Sequence, residues 1–156
     1  MTRTSDQRRE PISFTYLLKR LQQALRTEAE EGLREVGVTL PQLGVLRTLL
    51  GKPGASNAEL ARFAFVSPQS MAELLATLEA AGLITRSADA KNARVLRRTL
   101  TAEGARVAQR GLEEVARAES RMIAGLSATD QKQLRALLER CTAALAVPEA
   151  KDGADG

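Results

Sequence analysis

The stretch from Asn57 to Thr101 constrains this chain more than any other, because its apolar spacing changes from helical to strand-like within it. Asn57-Ala-Glu-Leu-Ala-Arg-Phe-Ala is followed by Phe65-Val-Ser-Pro-Gln-Ser-Met-Ala-Glu-Leu, two helical segments around a tight turn. Leu60 and Ala61 face inward from the first segment, Val66 plugs the turn, and Met71 and Leu74 face inward from the second. Ser56-Asn-Ala-Glu59 is a capping box. Ser67 is placed to cap the next helix, with Pro68 at its first position, where a missing N–H costs nothing. That helix carries Met71, Leu74, Leu75 and Leu78 and ends at Gly82. Leu83–Ser87 and Arg94–Leu100 then read as two short strands around a polar tip. The spacing predicts a helix-turn-helix followed by a β-wing.

Outside this stretch the pattern is helical. Phe14, Leu17, Leu18, Leu21 and Leu25 recur three and four apart, predicting a long first helix from about Ile12 to Glu35, closed by Gly37. Thr39-Leu-Pro-Gln42 opens a second helix with Leu43, Leu46, Leu49 and Leu50. Thr101-Ala-Glu-Gly starts a fifth, whose Ala105, Ala108, Leu112, Val115 and Met122 make an Ala-rich face. Ser127-Ala-Thr-Asp130 caps a sixth, carrying Leu134, Leu137, Leu138, Cys141 and Leu145. With aromatics at only 3% and no Trp, the core must be built from Leu, Ala and Val, which suits packed helices. The expected fold is mainly α with a small two- or three-stranded β-wing. Residues 1–11 are a mobile N-terminus, 12–36 and 102–147 dimerisation helices, 37–101 the winged helix-turn-helix region and 148–156 a disordered tail, all within one structural domain. The terminal helices have no evident partner in the middle of the chain. A second copy would bury their apolar faces, and an intramolecular hairpin is the alternative.

Charge narrows the function. The net charge is +4, and residues 84–100 carry all of it, holding Arg86, Lys91, Arg94, Arg97 and Arg98 against Asp89. A basic stripe on one hairpin is a footprint for a polyanion. Histidine is absent and Cys141 is the single cysteine, so a zinc site, a Ser-His-Asp triad and an internal disulfide are all disfavoured or impossible. No phosphate-binding loop is present and no stretch approaches the roughly 20 apolar residues of a membrane span. The chain therefore reads as a non-enzyme, without metal or other cofactor, and cytoplasmic.

A helix fits the major groove and presents the residues of its first turns to the base edges. Here those are Ser67, Pro68, Gln69 and Ser70, with Glu73 and Thr77 one and two turns on. Gln69 can pair bidentately with adenine, and the Pro68 ring can touch a thymine methyl. Arg62 and Ser67 are placed for the phosphate backbone. Lys91, Asn92 and Arg94 can reach the adjacent minor groove from the wing tip, with Arg97 beside them. Side chains alternate along a strand, so Arg97 and Arg98 cannot both face DNA as Arg94 does, and one is expected to be a structural ion-pair partner, with Asp89 a candidate acid.

At these residues the chain resembles the MarR family of bacterial winged-helix regulators. Ser-Asn-Ala-Glu-Leu-Ala, Val-Ser-Pro-Gln-Ser-Met, Leu-Glu-Ala-Ala-Gly-Leu-Ile and Asp89…Arg94…Leu-Thr-Ala-Glu-Gly carry the likeness, which spans about residues 12–147. The resemblance implies a homodimer joined through its first, fifth and sixth helices, reading a pseudo-palindromic operator in double-stranded DNA, most often as a repressor. It also implies a pocket for a small, often aromatic, anionic effector, for which Tyr16 and Arg47 are the candidates. Asn92 and Ala93 stand where the family wing usually has Asp or Gly with Arg, so the tip is where this chain is expected to depart from its relatives. Phe65 stands where many such turns have Gly. The family's peroxide-sensing cysteine and zinc-sensing histidines have no counterparts, and Cys141 is expected to be a buried apolar filler of the sixth helix. The other readings are a winged-helix module for an acidic protein partner and a nonspecific architectural DNA binder.

Overall fold

In a computed structural model of the protein, residues 12–64, 66–88 and 96–145 are described. The element order is α1 (Phe14–Val36), α2 (Leu40–Gly51), α3 (Asn57–Ala64), α4 (Pro68–Ala80), β1 (Ile84–Ala88), β2 (Leu96–Leu100), α5 (Ala102–Ile123) and α6 (Ala128–Leu145). The chain divides into two compact units after Glu119.

The first unit holds the core. Leu33 of α1, Leu43, Val45, Leu46 and Leu49 of α2, Leu60 and Ala61 of α3, Met71, Leu75 and Leu78 of α4, and Val107 and Ala108 of α5 form one buried cluster with Leu83 and Ile84. Burying each large side chain contributes about 1.5–3 kcal/mol, so the three from α4 hold that helix far more firmly than its propensity would. Val66 and Leu74 pack against the same cluster from the turn and from α4. Leu50, in the last turn of α2, stays exposed.

Helix boundaries follow the chemistry of their caps. Ser13 caps α1, its hydroxyl accepting from the Tyr16 N–H at 3.2 Å. Gly37 ends the helix in the left-handed region at φ 83°, which costs a glycine nothing. Thr39 and Gln42 form a reciprocal capping box at the start of α2. β1 and β2 pair antiparallel, Ile84 opposite Leu100 and Arg86 opposite Arg98. The Gly54 N–H donates to the Arg98 carbonyl at 2.8 Å, which ties the loop before α3 to the sheet. At the root of this hairpin the Thr101 hydroxyl donates to the Gly82 carbonyl at 2.8 Å and accepts from the Gly104 N–H at 2.9 Å. α5 leaves the sheet so closely that a Cβ on Gly104 would run into the Leu83 carbonyl.

The terminal helices differ from this core. Only Ala29 and Leu33 of α1 are buried, and its first half leaves Phe14, Tyr16, Leu17, Leu18 and Leu21 exposed, Phe14 at 86%. In the second unit α6 has no buried residue. Leu137, Leu138 and Leu145 are open to solvent, Leu145 at 83%. Ser127 and Asp130 cap it reciprocally, the Asp130 N–H donating to the Ser127 hydroxyl at 3.2 Å and the Ser127 hydroxyl to the Asp130 carboxylate at 2.6 Å. Cys141 is exposed in the single chain rather than buried as expected from its apolar neighbours. The helix presents those neighbours outward, so periodicity located an apolar face but not a covering for it.

Candidate nucleic-acid interface

The second helix of the helix-turn-helix is well founded at its N-terminus. The Ser67 hydroxyl accepts from the Ser70 N–H at 3.1 Å and donates to the Ser70 hydroxyl at 2.9 Å. Pro68 takes the first helical position. Met71, three positions further in, is fully buried, which fixes the rotation of the helix about its axis. Ser67, Pro68, Gln69, Ser70, Glu73 and Thr77 are all exposed, and Ser70, Glu73 and Thr77, three and four residues apart, share one face of the helix. The Thr77 hydroxyl donates back to the Glu73 carbonyl at 3.0 Å, while the Gln69 side chain stands free of any described hydrogen bond. Arg62, near the end of α3, is exposed.

The start of α3 is held by a tighter arrangement. The Glu59 carboxylate accepts from the Lys52 ammonium at 2.5 Å, from the Ser56 N–H at 2.8 Å and from the Ser56 hydroxyl at 2.9 Å. These bonds, that from Lys52 foremost, lower the Glu59 pKa to about 2. The box therefore remains charged and closed at neutral pH.

The wing cations divide sharply. Arg98 is 7% exposed. Its guanidinium donates to Glu79 Oε1 at 3.2 Å and to the Asn57 side-chain oxygen. The structural arginine foreseen after the tip is therefore Arg98, and the acid it meets is Glu79 of α4; Asp89 lies outside the described residues. Arg97, on the other side of the strand, donates to the Gly54 carbonyl at 3.0 Å and is half-buried. Its head is thus turned toward the loop before α3. Arg86 remains open, its side chain 62% exposed and 3.7 Å from Glu79 Oε2. Lys91, Asn92 and Arg94 lie outside the described residues. Sequence reasoning missed the role of Glu79 and Asn57; the single acid in the last turn of α4, within reach of Arg86 and Arg98 on the hairpin, was the available signal.

Two cavities flank the first unit's helices. One, of about 290 Å³, is lined by Thr27, Glu30, Arg34, Val38 and Thr39. The other, of about 330 Å³, is lined largely by apolar groups of Leu49, Leu50, Pro53, Leu100, Ala102 and Ala105. Tyr16 and Arg47 line neither; both are exposed, and the Arg20 guanidinium lies 5.8 Å from the centre of the Tyr16 ring. Among the described residues no group of three or more acidic or cysteine side chains is placed to hold a metal ion.

Comparison with known proteins agrees with this geometry. The profile of the MarR family matches residues 38–96. The HTH-type transcriptional repressor Rv2887 of Mycobacterium tuberculosis is 42% identical over 125 residues, covering 80% of this chain and 90% of the relative. The crystal structure of Rv2887 in complex with DNA has a TM-score of 0.72 at 37% identity, covering 84% of this chain and 98% of the other. Its complex with p-aminosalicylic acid gives 0.70 at 40% identity, with 84% and 99% covered. With a helix-turn-helix, a two-stranded wing and a relative of this identity and coverage, the chain belongs to the MarR family of DNA-binding transcriptional regulators.

Proposed function

We propose that the protein is a cytoplasmic transcriptional repressor, a binding protein and not an enzyme, that reads a pseudo-palindromic operator as a homodimer. The observation that carries this is the surface of α4: Ser67, Pro68, Gln69, Ser70, Glu73 and Thr77 all open, on a helix fixed from behind by Met71, Leu75 and Leu78. Gln69 and Ser70 select the bases, and Arg62 and Ser67 hold phosphates. Lys91, Asn92, Arg94 and Arg86 supply the electrostatic hold from the wing, with Arg97 bracing it. Residues 37–101 are the reading head; residues 12–36 and 102–147 are the dimer region, whose exposed leucines a second copy covers.

The effector is a small aromatic anion of the salicylate kind, as bound by Rv2887 in its crystals. Arg34, on the rim of the 290 Å³ cavity, offers a guanidinium for its carboxylate, and Arg47 and Tyr16 are the further candidates. The experiment is selection of bound sequences from a random duplex pool, followed by titration at several salt concentrations with and without salicylate. Enrichment of one inverted repeat, with release by salicylate, is the expected result. A steep salt dependence without any preferred sequence means a nonspecific binder and defeats the operator reading.

A further inference from the structure

The geometry points to Glu79 and Arg98 as a latch that fixes the wing against the recognition helix: positioning residues for DNA binding, not DNA contacts. The inference rests on the DNA-binding reading above and adds residues to it. Arg86 and Arg98 lie directly opposite each other across the two strands. Like charges in that position repel and would splay a hairpin this short. Glu79, from the last turn of α4, places one carboxylate oxygen 3.2 Å from Arg98 and the other 3.7 Å from Arg86, so one acid neutralises both. Arg98 also donates to Asn57, the first residue of α3. One guanidinium therefore joins the wing's return strand to both helices of the helix-turn-helix.

Burial decides between a latch and a contact. At 7% exposure, with Nε engaged by Glu79 and Nη1 by Asn57, the Arg98 head is closed off from a phosphate by burial. Arg86, with its side chain 62% exposed, does. The next residue along, Arg97, fastens to the Gly54 carbonyl, and the Gly54 N–H to the Arg98 carbonyl, so the same stretch of strand is pinned on both sides. A wing so held meets the minor groove at one angle set by α4. Without the latch it must be ordered on binding, and that ordering lowers affinity.

The test compares Arg98→Met, Glu79→Gln and the double variant with wild type, using duplexes the wild type selects from a random pool. Each single variant is expected to bind at least tenfold more weakly. The slope of log affinity against log salt should stay unchanged, because no phosphate contact is lost, and the double variant should bind no more weakly than the worse single. A slope shallower by about 0.9 makes Arg98 a phosphate contact and overturns the latch, as do unchanged affinity or strictly additive losses. Hydrogen exchange in the full-length proteins gives a reading independent of DNA. Amides of β1 and β2 should exchange faster in Arg98→Met and Glu79→Gln while those of α2 do not change. If the wild type selects no sequence, the operator reading fails; unchanged exchange in the sheet would sink the latch on its own.

Discussion

The reading head and the terminal helices are built from the same leucines and alanines, yet they reach opposite states in a single chain. In the head, α4 buries Met71, Leu75 and Leu78, while Gln69, Ser70, Glu73 and Thr77 stay outside. In α6, Leu137, Leu138 and Leu145 are exposed and nothing is buried. α1 shows both behaviours along one helix, with Leu33 in the core and Phe14, Leu17 and Leu18 open. The difference teaches that an amphipathic pattern specifies a face to be covered, not what covers it. Where the covering element lies in the same chain, the face closes on folding. Where it does not, the cost of exposed apolar surface becomes a driving force for association.

The contrast can be broken by substitution. Met71→Ala should cost the head about 2–5 kcal/mol, read by urea denaturation of the full chain; a loss below about 1 kcal/mol would mean that the head is not the packed unit described. Leu138→Asp on α6 should leave the head's far-ultraviolet helix signal intact but halve the mass in solution. A dimer of about 34 kDa, twice the 16.8 kDa chain, should become a monomer in sedimentation equilibrium. A wild-type monomer at working concentration would remove the distinction between the two regions.

Within the head, Arg94→Ala should weaken operator binding about tenfold and make the salt slope shallower by about 0.9, while Arg121→Ala on α5 changes little. Equal losses in a salt-controlled gel shift would count against a wing that carries the electrostatic hold. The smallest expected effect is on stability against pH. Glu59 has a folded pKa near 2, below its unfolded value, so the folded state binds fewer protons between those two values. Its stabilisation is complete above about pH 5 and fades as pH falls toward 2. Glu59→Gln should therefore flatten the acid limb of the stability curve while costing under about 1 kcal/mol at neutral pH. An acid limb identical to that of wild type would show that the capping box at α3 does not titrate with folding.

Much of this architecture was legible in the residues. The boxes Thr39–Gln42, Ser56–Glu59 and Ser67–Pro68 set helix starts at or within a residue of where they are observed, because capping depends on atoms three residues apart. The set expected at the base edges is defined by its place at the start of the second helix and in its first turns, and all six of its residues are exposed. The division of labour between Arg97 and Arg98 was half legible. Strand alternation required them to point apart, but nothing local named Glu79, nineteen residues from Arg98, as the acid. Cys141 shows the opposite failure, for an apolar neighbourhood in sequence became an open one in space.

The sequence by itself determined where elements begin and end, which faces are apolar, and that the excess charge sits on one hairpin, because these depend on interactions within a few residues. Only the tertiary structure decided which wing arginine is buried, that one carboxylate at the end of α4 serves two cations, and that no residue of α6 is fully buried. Those outcomes depend on groups brought together from distant parts of the chain, where burial and the competition for a shared partner, rather than spacing, select the pair.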